Sequence, residues 1–291
     1  MRLRPPRVTP LDVALALALL AGALWLLYRI RVGLNYSWNW GVIPQYLFRY
    51  DEERGRWVAN LLMQGFFTTI RLSIWSTLLA LIFGTLMGFC RTGRSLFNRL
   101  LGGSYVELIR NLPPLVLVFI FYFFVSGQIM PLLGIEEFIR SRSELTQGIL
   151  SVLFAPPRMF TGFLSAVVSL ALFEGAYITE IVRAGIQSIE RGQWEAASAL
   201  GFSRFARMRY IILPQAFQRI LPALAGQFIS TIKDSSIVSI ISIQELTFQG
   251  MELMAATYLT FEIWITVTVL YLILTLSCSL AVERLEIRMR R

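Results

Sequence analysis

The sequence contains no histidine and a single lysine, Lys233, among its 291 residues. Asp234 follows the lysine, whereas a phosphate-binding Walker A loop requires Gly-Lys-Ser or Gly-Lys-Thr. The chain therefore has no nucleotide-binding loop of this kind. Without histidine it also has no Ser-His or Cys-His nucleophile pair and no histidine-ligated metal site. We expect no cofactor and no metal in this chain.

Charge is also scarce, because only 15% of the residues are charged and 56% are hydrophobic. A soluble domain carries about 25% charged residues. The composition therefore indicates an integral membrane protein and excludes a soluble enzyme. The net charge of +9 comes from arginines at the ends of apolar segments, which membrane topology explains better than nucleic-acid binding. Cys90 and Cys278 are interpreted as small apolar side chains without a disulfide.

Six apolar segments are long enough to cross a bilayer, and we predict from them an all-α integral membrane fold. The predicted spans are residues 10–28, 61–90, 104–125, 160–182, 220–243 and 261–282, the fifth being interrupted by the polar run KDSS. Thr9 and Asp12 are predicted to cap the first helix, which is interpreted as a retained anchor rather than a signal peptide. Gly84 and Gly88 are predicted to let two helices approach closely.

Arginine is distributed unevenly between the two sides that six spans create. The two termini and the segments after the second and fourth spans carry 16 arginines, whereas the remaining loops carry 8. The positive-inside rule therefore predicts that both termini are cytoplasmic. The external loops are predicted to be residues 35–60 and 126–158, and helical spacing of apolar residues predicts a surface helix over 135–153.

The segment between the fourth and fifth predicted spans, residues 183–219, is too patterned for a simple connection. A short helix is predicted from Glu195, ended by Gly201 in a left-handed conformation. Ser203 is predicted to cap a second helix, and Pro214 to interrupt the chain after Leu213. Such a basic, alanine-edged helix fits a groove on another protein or an anionic lipid surface, and physical reasoning alone does not separate the two.

Residues 195–214 fit the pattern EAA-x3-G-x9-I-x-LP. The fixed positions are Glu195, Ala196, Ala197, Gly201, Ile211, Leu213 and Pro214. This pattern resembles the cytoplasmic signature of the membrane subunits of ABC importers. We refer to residues 183–219 as the EAA loop.

The resemblance extends over residues 65–283. This stretch is similar to the polar amino acid branch of that family, which comprises permeases for histidine, glutamine, arginine, glutamate and general amino acids. It rests on the strings YVELIRNLPPLVLVFIFYF, AYITEIVRAGIQSIERGQWEAASALG and LPQAFQRILPALAGQFISTIKDSSIVSIISIQEL. Leu112 departs from the threonine usual in that branch, and KDSSI stands where KDTSL is usual. These departures weaken any statement about the substrate.

The resemblance implies a MetI-like permease core of five spans, so the first helix is an added anchor. The domains are then 1–60 (cytoplasmic tail, anchor and external loop), 61–283 (permease domain with the EAA loop) and 284–291 (basic cytoplasmic tail). The implied location is the bacterial inner membrane. The implied partners are an ABC ATPase dimer, a second permease, for which a heterodimer is preferred, and an extracytoplasmic amino-acid-binding protein. ATP would be bound by the ATPase, and no nucleic acid is implied.

In that family the EAA loop docks into a cleft on the ATPase. By resemblance, Glu195 would bond to the ATPase surface, Ala196 and Ala197 would allow close approach, and Gly201 would permit the turn. The chain would then couple hydrolysis to movement and catalyse no bond chemistry itself.

Charged residues inside the spans are the remaining candidates, since each costs about 2.5 to 3.5 kcal/mol at a helix centre and such charges are commonly functional. Glu174, Glu180, Lys233 and Asp234 are candidates for a translocation pathway. The alternative is that they pair with one another or lie at the membrane interface, as we expect for Glu262.

A secondary transporter using these carboxylates as an ion relay is the competing function. An intramembrane hydrolase is disfavoured because no histidine is present.

Overall fold

The computed structural model describes residues 9–33, 36–53 and 55–289, and these fall into two compact units that divide between Trp40 and Gly41. In the first unit, helix α1 spans Pro10–Gly33. The Thr9 backbone N–H donates to Asp12 Oδ2 at 2.8 Å, and the Asp12 N–H donates to Thr9 Oγ1 at 3.3 Å. This reciprocal pair confirms the predicted cap. The predicted basic tail at Arg2, Arg4 and Arg7 lies outside the described residues.

A short helical segment and a β-hairpin lie within the predicted external loop 35–60. A 3₁₀ turn (Trp40–Val42) leads into α2 (Ile43–Leu47), and strands β1 (Phe48–Asp51) and β2 (Arg56–Ala59) pair antiparallel with Phe48 opposite Ala59. The Asn60 backbone N–H donates to the Leu47 carbonyl at 2.9 Å, which closes the hairpin base. The prediction of an all-α chain missed this hairpin.

Helices α3 (Leu61–Thr92), α4 (Leu96–Asn111) and α5 (Pro114–Phe124) follow. The predicted span 104–125 is wrong as a single helix, because the chain breaks between α4 and α5. Leu112 is extended, with φ −102° and ψ 151°, as expected for a residue before proline. The consecutive prolines at 113 and 114 therefore separate an amphipathic helix from the apolar helix that follows.

The predicted surface helix 135–153 is also divided. A π turn (Val125–Ile129) and α6 (Met130–Leu132) lead into α7 (Ile135–Arg140) and α8 (Glu144–Leu153). Ser143 separates α7 from α8, and its side chain accepts a hydrogen bond from the Thr146 backbone N–H as the cap of α8. The sequence pattern showed the helical spacing but not this interruption.

After a 3₁₀ turn (Pro157–Met159), the described residues form seven further α-helical or 3₁₀ segments and one π turn (Met208–Ile212). The seven segments are α9 (Phe160–Gln187), α10 (Arg191–Ala199), α11 (Arg204–Arg207), α12 (Leu213–Asp234), a 3₁₀ segment (Ser235–Ile241), α13 (Leu246–Thr257) and α14 (Thr260–Met289). The polar run KDSS marks the point where α12 gives way to the 3₁₀ segment. The fifth predicted span is therefore not one continuous α-helix.

Four helical stretches among the described residues are long and apolar enough to cross a membrane. They are Leu61–Thr92, Pro114–Leu132, Pro157–Gln187 and Thr260–Arg284, and the apolar part of α1, Pro10–Leu26, is shorter. Many large apolar side chains of α14, including Leu272, Ile273 and Leu276, are exposed. Outward-facing apolar side chains on a spanning helix are suited to contact with lipid. The total of six spans stays a prediction.

The α3 and α9 helices pack along one another and form the centre of the fold. Small residues make this approach close: a Cβ built on Gly84 would lie 2.7 Å from Ile178 Cβ, and one on Gly88 would lie 2.7 Å from Val182 Cγ1. The predicted packing role of both glycines is therefore confirmed.

Three apolar clusters surround this helix pair. One is centred on Phe163 and Leu170 of α9, a second joins Ile178 and Ile186 to α12, and a third packs Leu62 of α3 against α13 and α14. Three buried hydroxyl groups, those of Ser73 in α3 and of Ser169 and Thr179 in α9, donate to carbonyls one turn earlier and are satisfied within their own helix.

We expect Gly84→Ala to destabilise the helix pair. The added Cβ would lie under 3 Å from both Ile178 and the Gly175 carbonyl, and overpacking of this kind costs about 1 to 3 kcal/mol. The thermal unfolding temperature of the purified chain in detergent should fall. Gly103→Ala is the matched control, because a Cβ there has no heavy atom within 4 Å. Equal unfolding temperatures for the two variants would contradict the packing argument.

Candidate functional site

The EAA loop starts in the last turn of α9, and its first separate helix, α10, ends in a compact hydrogen-bonded turn. The Gly201 N–H donates to the Ser198 carbonyl at 3.1 Å, and the Phe202 N–H donates to the Ala197 carbonyl at 3.2 Å. Gly201 has φ +76°. These two bonds and the left-handed residue form a Schellman motif, and they confirm the predicted end of the helix at Gly201.

The second helix of the loop also begins where predicted. Ser203 Oγ accepts a hydrogen bond from the Ala206 backbone N–H at 3.2 Å and so caps α11. The prediction that Pro214 interrupts the chain is wrong. The chain passes from α11 through a π turn (Met208–Ile212) directly into α12, which contains Leu213 and Pro214 in its first turn.

The π turn explains how Pro214 is accommodated. The Leu213 N–H donates to the Met208 carbonyl, one residue further back than in an α-helix. Proline has no N–H, and in a regular helix its ring would collide with the carbonyl four residues earlier. The same arrangement occurs at the first π turn, where the Met130 N–H donates to the Val125 carbonyl and Pro131 follows.

The signature residues of α10 lie on different faces. The Glu195 side chain is exposed and accepts a hydrogen bond from Arg191 Nε at 2.8 Å, and Ala196 is exposed. Ala197 is buried within the chain. Ile211 and Leu213 are half-buried. The predicted pair of alanines is therefore divided between an outer face and a face that packs internally.

Large apolar side chains project from the EAA loop among its arginines. Leu200, Phe205 and Tyr210 are 75%, 77% and 67% exposed. Arg207 lies over the Trp194 ring at 5.6 Å from its centroid and donates to Ser198 Oγ. The loop is therefore braced internally while it presents an apolar and basic outer surface.

Glu180 forms an ion-pair cluster that joins α3 to α9. Its Oε2 accepts from Arg183 Nε at 2.9 Å and from Arg183 Nη2 at 2.7 Å, and its other oxygen pairs with Arg91 of α3. Arg91, Arg183 and Trp194 line one cleft, so this cluster adjoins the EAA loop. The structure thus favours the pairing interpretation of Glu180.

Glu174 lies at a different contact, between α9 and α12. Its side chain is completely buried, and its Oε2 accepts from Gln227 Nε2 of α12 at 2.6 Å. The Asp234 carboxylate lies close enough to Glu174 for the two groups to interact electrostatically. Lys233 points to the exposed side of α12. The structure brings Glu174 and Asp234 together. Lys233 is next to Asp234 and its charge acts on that carboxylate, whereas Glu180 lies in the separate cluster with Arg91 and Arg183.

Glu245 is a buried polar residue that the sequence analysis missed. Its carboxylate caps α13 by accepting from the backbone N–H groups of Thr247 and Phe248 at 2.9 and 2.8 Å. It also accepts from the Tyr271 hydroxyl at 2.8 Å and from Thr69 Oγ1 at 3.3 Å. The sequence feature that could have identified Glu245 is its position as a single acidic residue inside an apolar stretch.

Comparison with known proteins places the chain in a transport family. Residues 80–291 match the family described as the binding-protein-dependent transport system inner membrane component. The chain belongs to this family and is a multi-pass membrane permease component.

The chain is similar to several curated permeases over most of their length. It is 36% identical over 230 residues to the glutamine transport system permease protein GlnP of Escherichia coli strain K12, covering 79% of this chain and 93% of that one. It is 32% identical over 234 residues to the probable glutamine ABC transporter permease protein GlnM of Bacillus subtilis, covering 80% and 94%. The glutamate/aspartate import permease protein GltJ of E. coli K12 is 30% identical over 257 residues, covering 88% and 97%.

Solved structures share the fold. A chain of an amino acid ABC transporter crystallised with histidines matches with a TM-score of 0.65 and 28% identity, covering 87% of this chain and all of that one. A chain of the MetNI methionine ABC transporter matches with a TM-score of 0.57 and 20% identity, covering 79% and 97%. The second likeness shows the fold alone, and it supports the predicted MetI-like core.

Proposed function

We propose that this chain is the permease subunit of an ABC importer for a polar amino acid, and that the EAA loop couples it to a separate ATPase that binds ATP. The observation that carries this proposal is the position of the loop. The EAA loop connects α9 directly to α12, and these two helices hold Glu174 and Asp234. A partner that moves the loop would move both α9 and α12, and with them Glu174 and Asp234.

The outer surface of the EAA loop supports a protein partner. Exposed apolar side chains concentrated on one segment mark interaction surfaces, and Leu200 and Phe205 of the EAA loop are both more than two-thirds exposed. The Schellman turn and the Ser203 cap hold the two loop helices in a defined geometry. A preformed surface lowers the entropy lost on binding. A lipid surface remains the competing partner and is one outcome of the experiment below.

Glu174 and Asp234 are proposed to form part of the translocation pathway. Two carboxylates held close in a membrane repel one another, and an ammonium group placed beside them would offset that repulsion. An α-amino acid carries such a group. The named substrates of the curated relatives, glutamine and glutamate/aspartate, support a polar amino acid of this size.

The proposed complex contains two permease subunits, two ATPase subunits and an extracytoplasmic binding protein in the bacterial inner membrane. A heterodimer of permeases is preferred. The proposed topology has six spans, the first being an added anchor, with both termini in the cytoplasm. The arginine bias in the sequence supports that orientation. No cofactor is proposed for this chain.

We expect Gly201→Val to reduce the amount of ATPase that co-purifies with the chain from native membranes in mild detergent. Valine at φ +76° is strained, so the turn that sets the two loop helices would open. Gly134→Val is the matched control, since Gly134 also has a positive φ, +58°, but lies outside the EAA loop. Recovery of equal amounts of ATPase with both variants would contradict coupling through this loop. So would purification of the unmodified chain with bound lipid but without any ATPase.

We expect Glu174→Gln to lower ATP-driven amino acid uptake at least several-fold while leaving the complex assembled. The amide keeps an oxygen that can accept from Gln227 but removes the charge beside Asp234. Uptake into proteoliposomes and subunit recovery on size exclusion are the two measurements. Glu136→Gln is the control, because Glu136 is exposed and pairs with Arg140. Loss of assembly with Glu174→Gln would instead indicate a structural role.

A further inference from the structure

A second cleft lies at the end of α3 opposite the EAA loop. It has a volume of about 730 Å³, within the range of small-molecule sites. Arg71 lines it, and Arg91 beside the EAA loop is 20 residues further along α3. At about 1.5 Å per residue the two arginines are roughly 30 Å apart, which is the thickness of a bilayer core. The cleft therefore opens near the other membrane surface.

The charge in this cleft has one sign. Arg71 and Arg158 line it, and its lining contains no aspartate or glutamate. The Arg71 guanidinium donates to the carbonyls of Phe67, Ser151 and Val152 at 3.2, 2.8 and 3.4 Å and to Thr68 Oγ1 at 3.0 Å. All four acceptors are neutral, so they orient the guanidinium without cancelling its charge. The cleft is therefore suited to an anionic group, and a carboxylate matches the planar fork of arginine.

The side-chain amide of Gln249, in the same cleft, has an oxygen that lacks a hydrogen-bond donor among the described residues. Gln249 lines the cleft and is only 3% exposed, and its Oε1 has no hydrogen-bond partner among the described residues. A buried acceptor without a donor is unfavourable. Gln249 also packs against α3, since a Cβ built on Gly65 would lie 2.9 Å from its Cγ. The side chain is thus held at the cleft wall with an acceptor unused.

Apolar groups complete the cleft and shape it for a small organic molecule. Phe67, Phe163 and Ile243 contribute to its walls beside the charged and amide groups. A simple inorganic anion would use the arginines but would offer nothing to the apolar walls and no N–H donor to Gln249. An α-amino acid supplies a carboxylate, an ammonium group and a short carbon chain together.

We propose that this cleft is a recognition site for an α-amino acid, with Arg71 and Arg158 holding the carboxylate and Gln249 Oε1 accepting from an N–H of the ligand. The assignment rests on the proposed function and adds a second site to it. The cleft is basic and lies toward one surface, whereas Glu174 and Asp234 form an acidic contact on α9 and α12. The cleft would select a ligand by its carboxylate, whereas the Glu174–Asp234 contact would select it by its ammonium group.

The test is equilibrium binding to the complete complex in nanodiscs, without the binding protein. Tritiated L-glutamine and L-glutamate are the probes, and L-glutaminamide, in which an amide replaces the α-carboxylate, is the competitor. We expect Arg158→Gln and Gln249→Leu each to weaken binding of whichever amino acid the complex binds by at least tenfold, and Arg158→Lys to restore part of it. L-glutaminamide should compete at least tenfold more weakly than L-glutamine.

Arg142→Gln is the matched control, because Arg142 is exposed, stacks on Phe138 and does not line the cleft. Arg158 is itself exposed, so its replacement tests the cleft without disturbing the core. Equal affinity in Arg158→Gln, Gln249→Leu and Arg142→Gln, or no saturable binding to the unmodified complex, would overturn the assignment. Absence of ATP-driven uptake by the unmodified complex would instead contradict the proposed function.

Discussion

The close approach of α3 and α9 is the contact on which the other functional features depend. Gly84 and Gly88 leave no room for side chains at this contact, so Ile178 and Val182 lie directly against the α3 backbone. A lipid environment gives little hydrophobic drive for helix association, and close packing of small residues takes its place. The pairing of Arg91 with Glu180 then fixes the same two helices at the end next to the EAA loop.

The EAA loop is mechanically connected to the buried polar contact. Its first helix follows α9 after three residues, and its second continues through a π turn into α12. Gln227 and Asp234 on α12 face Glu174 on α9. Rigid helices transmit movement when they have two packed arrangements. The structure therefore provides a physical route from the proposed ATPase-binding surface to the proposed pathway through directly connected helices.

Local features of the fold could be predicted from the sequence, because they depend on neighbouring residues. Thr9, Ser203 and Gly201 set helix ends through short-range hydrogen bonds and backbone preference, and all three were predicted. The break before Pro113 and the π turn before Pro214 were missed, since an apolar pattern does not show how a helix accommodates proline. The Glu174–Gln227 contact joins residues 53 positions apart, and helix periodicity holds no information on such pairs. Glu180 was likewise predicted as charged within a span, but its partner on α3 became visible only in three dimensions.

The central claim is that ATP bound by a separate subunit drives transport through the EAA loop. The most direct measurement is uptake of labelled L-glutamine and L-glutamate into proteoliposomes that hold the complete complex, with ATP supplied on the ATPase side and ionophores present to collapse proton and sodium gradients. The account predicts uptake that requires both ATP and the binding protein and persists without ion gradients. Uptake that follows an imposed ion gradient in the absence of ATP would contradict it and would make the buried carboxylates an ion relay.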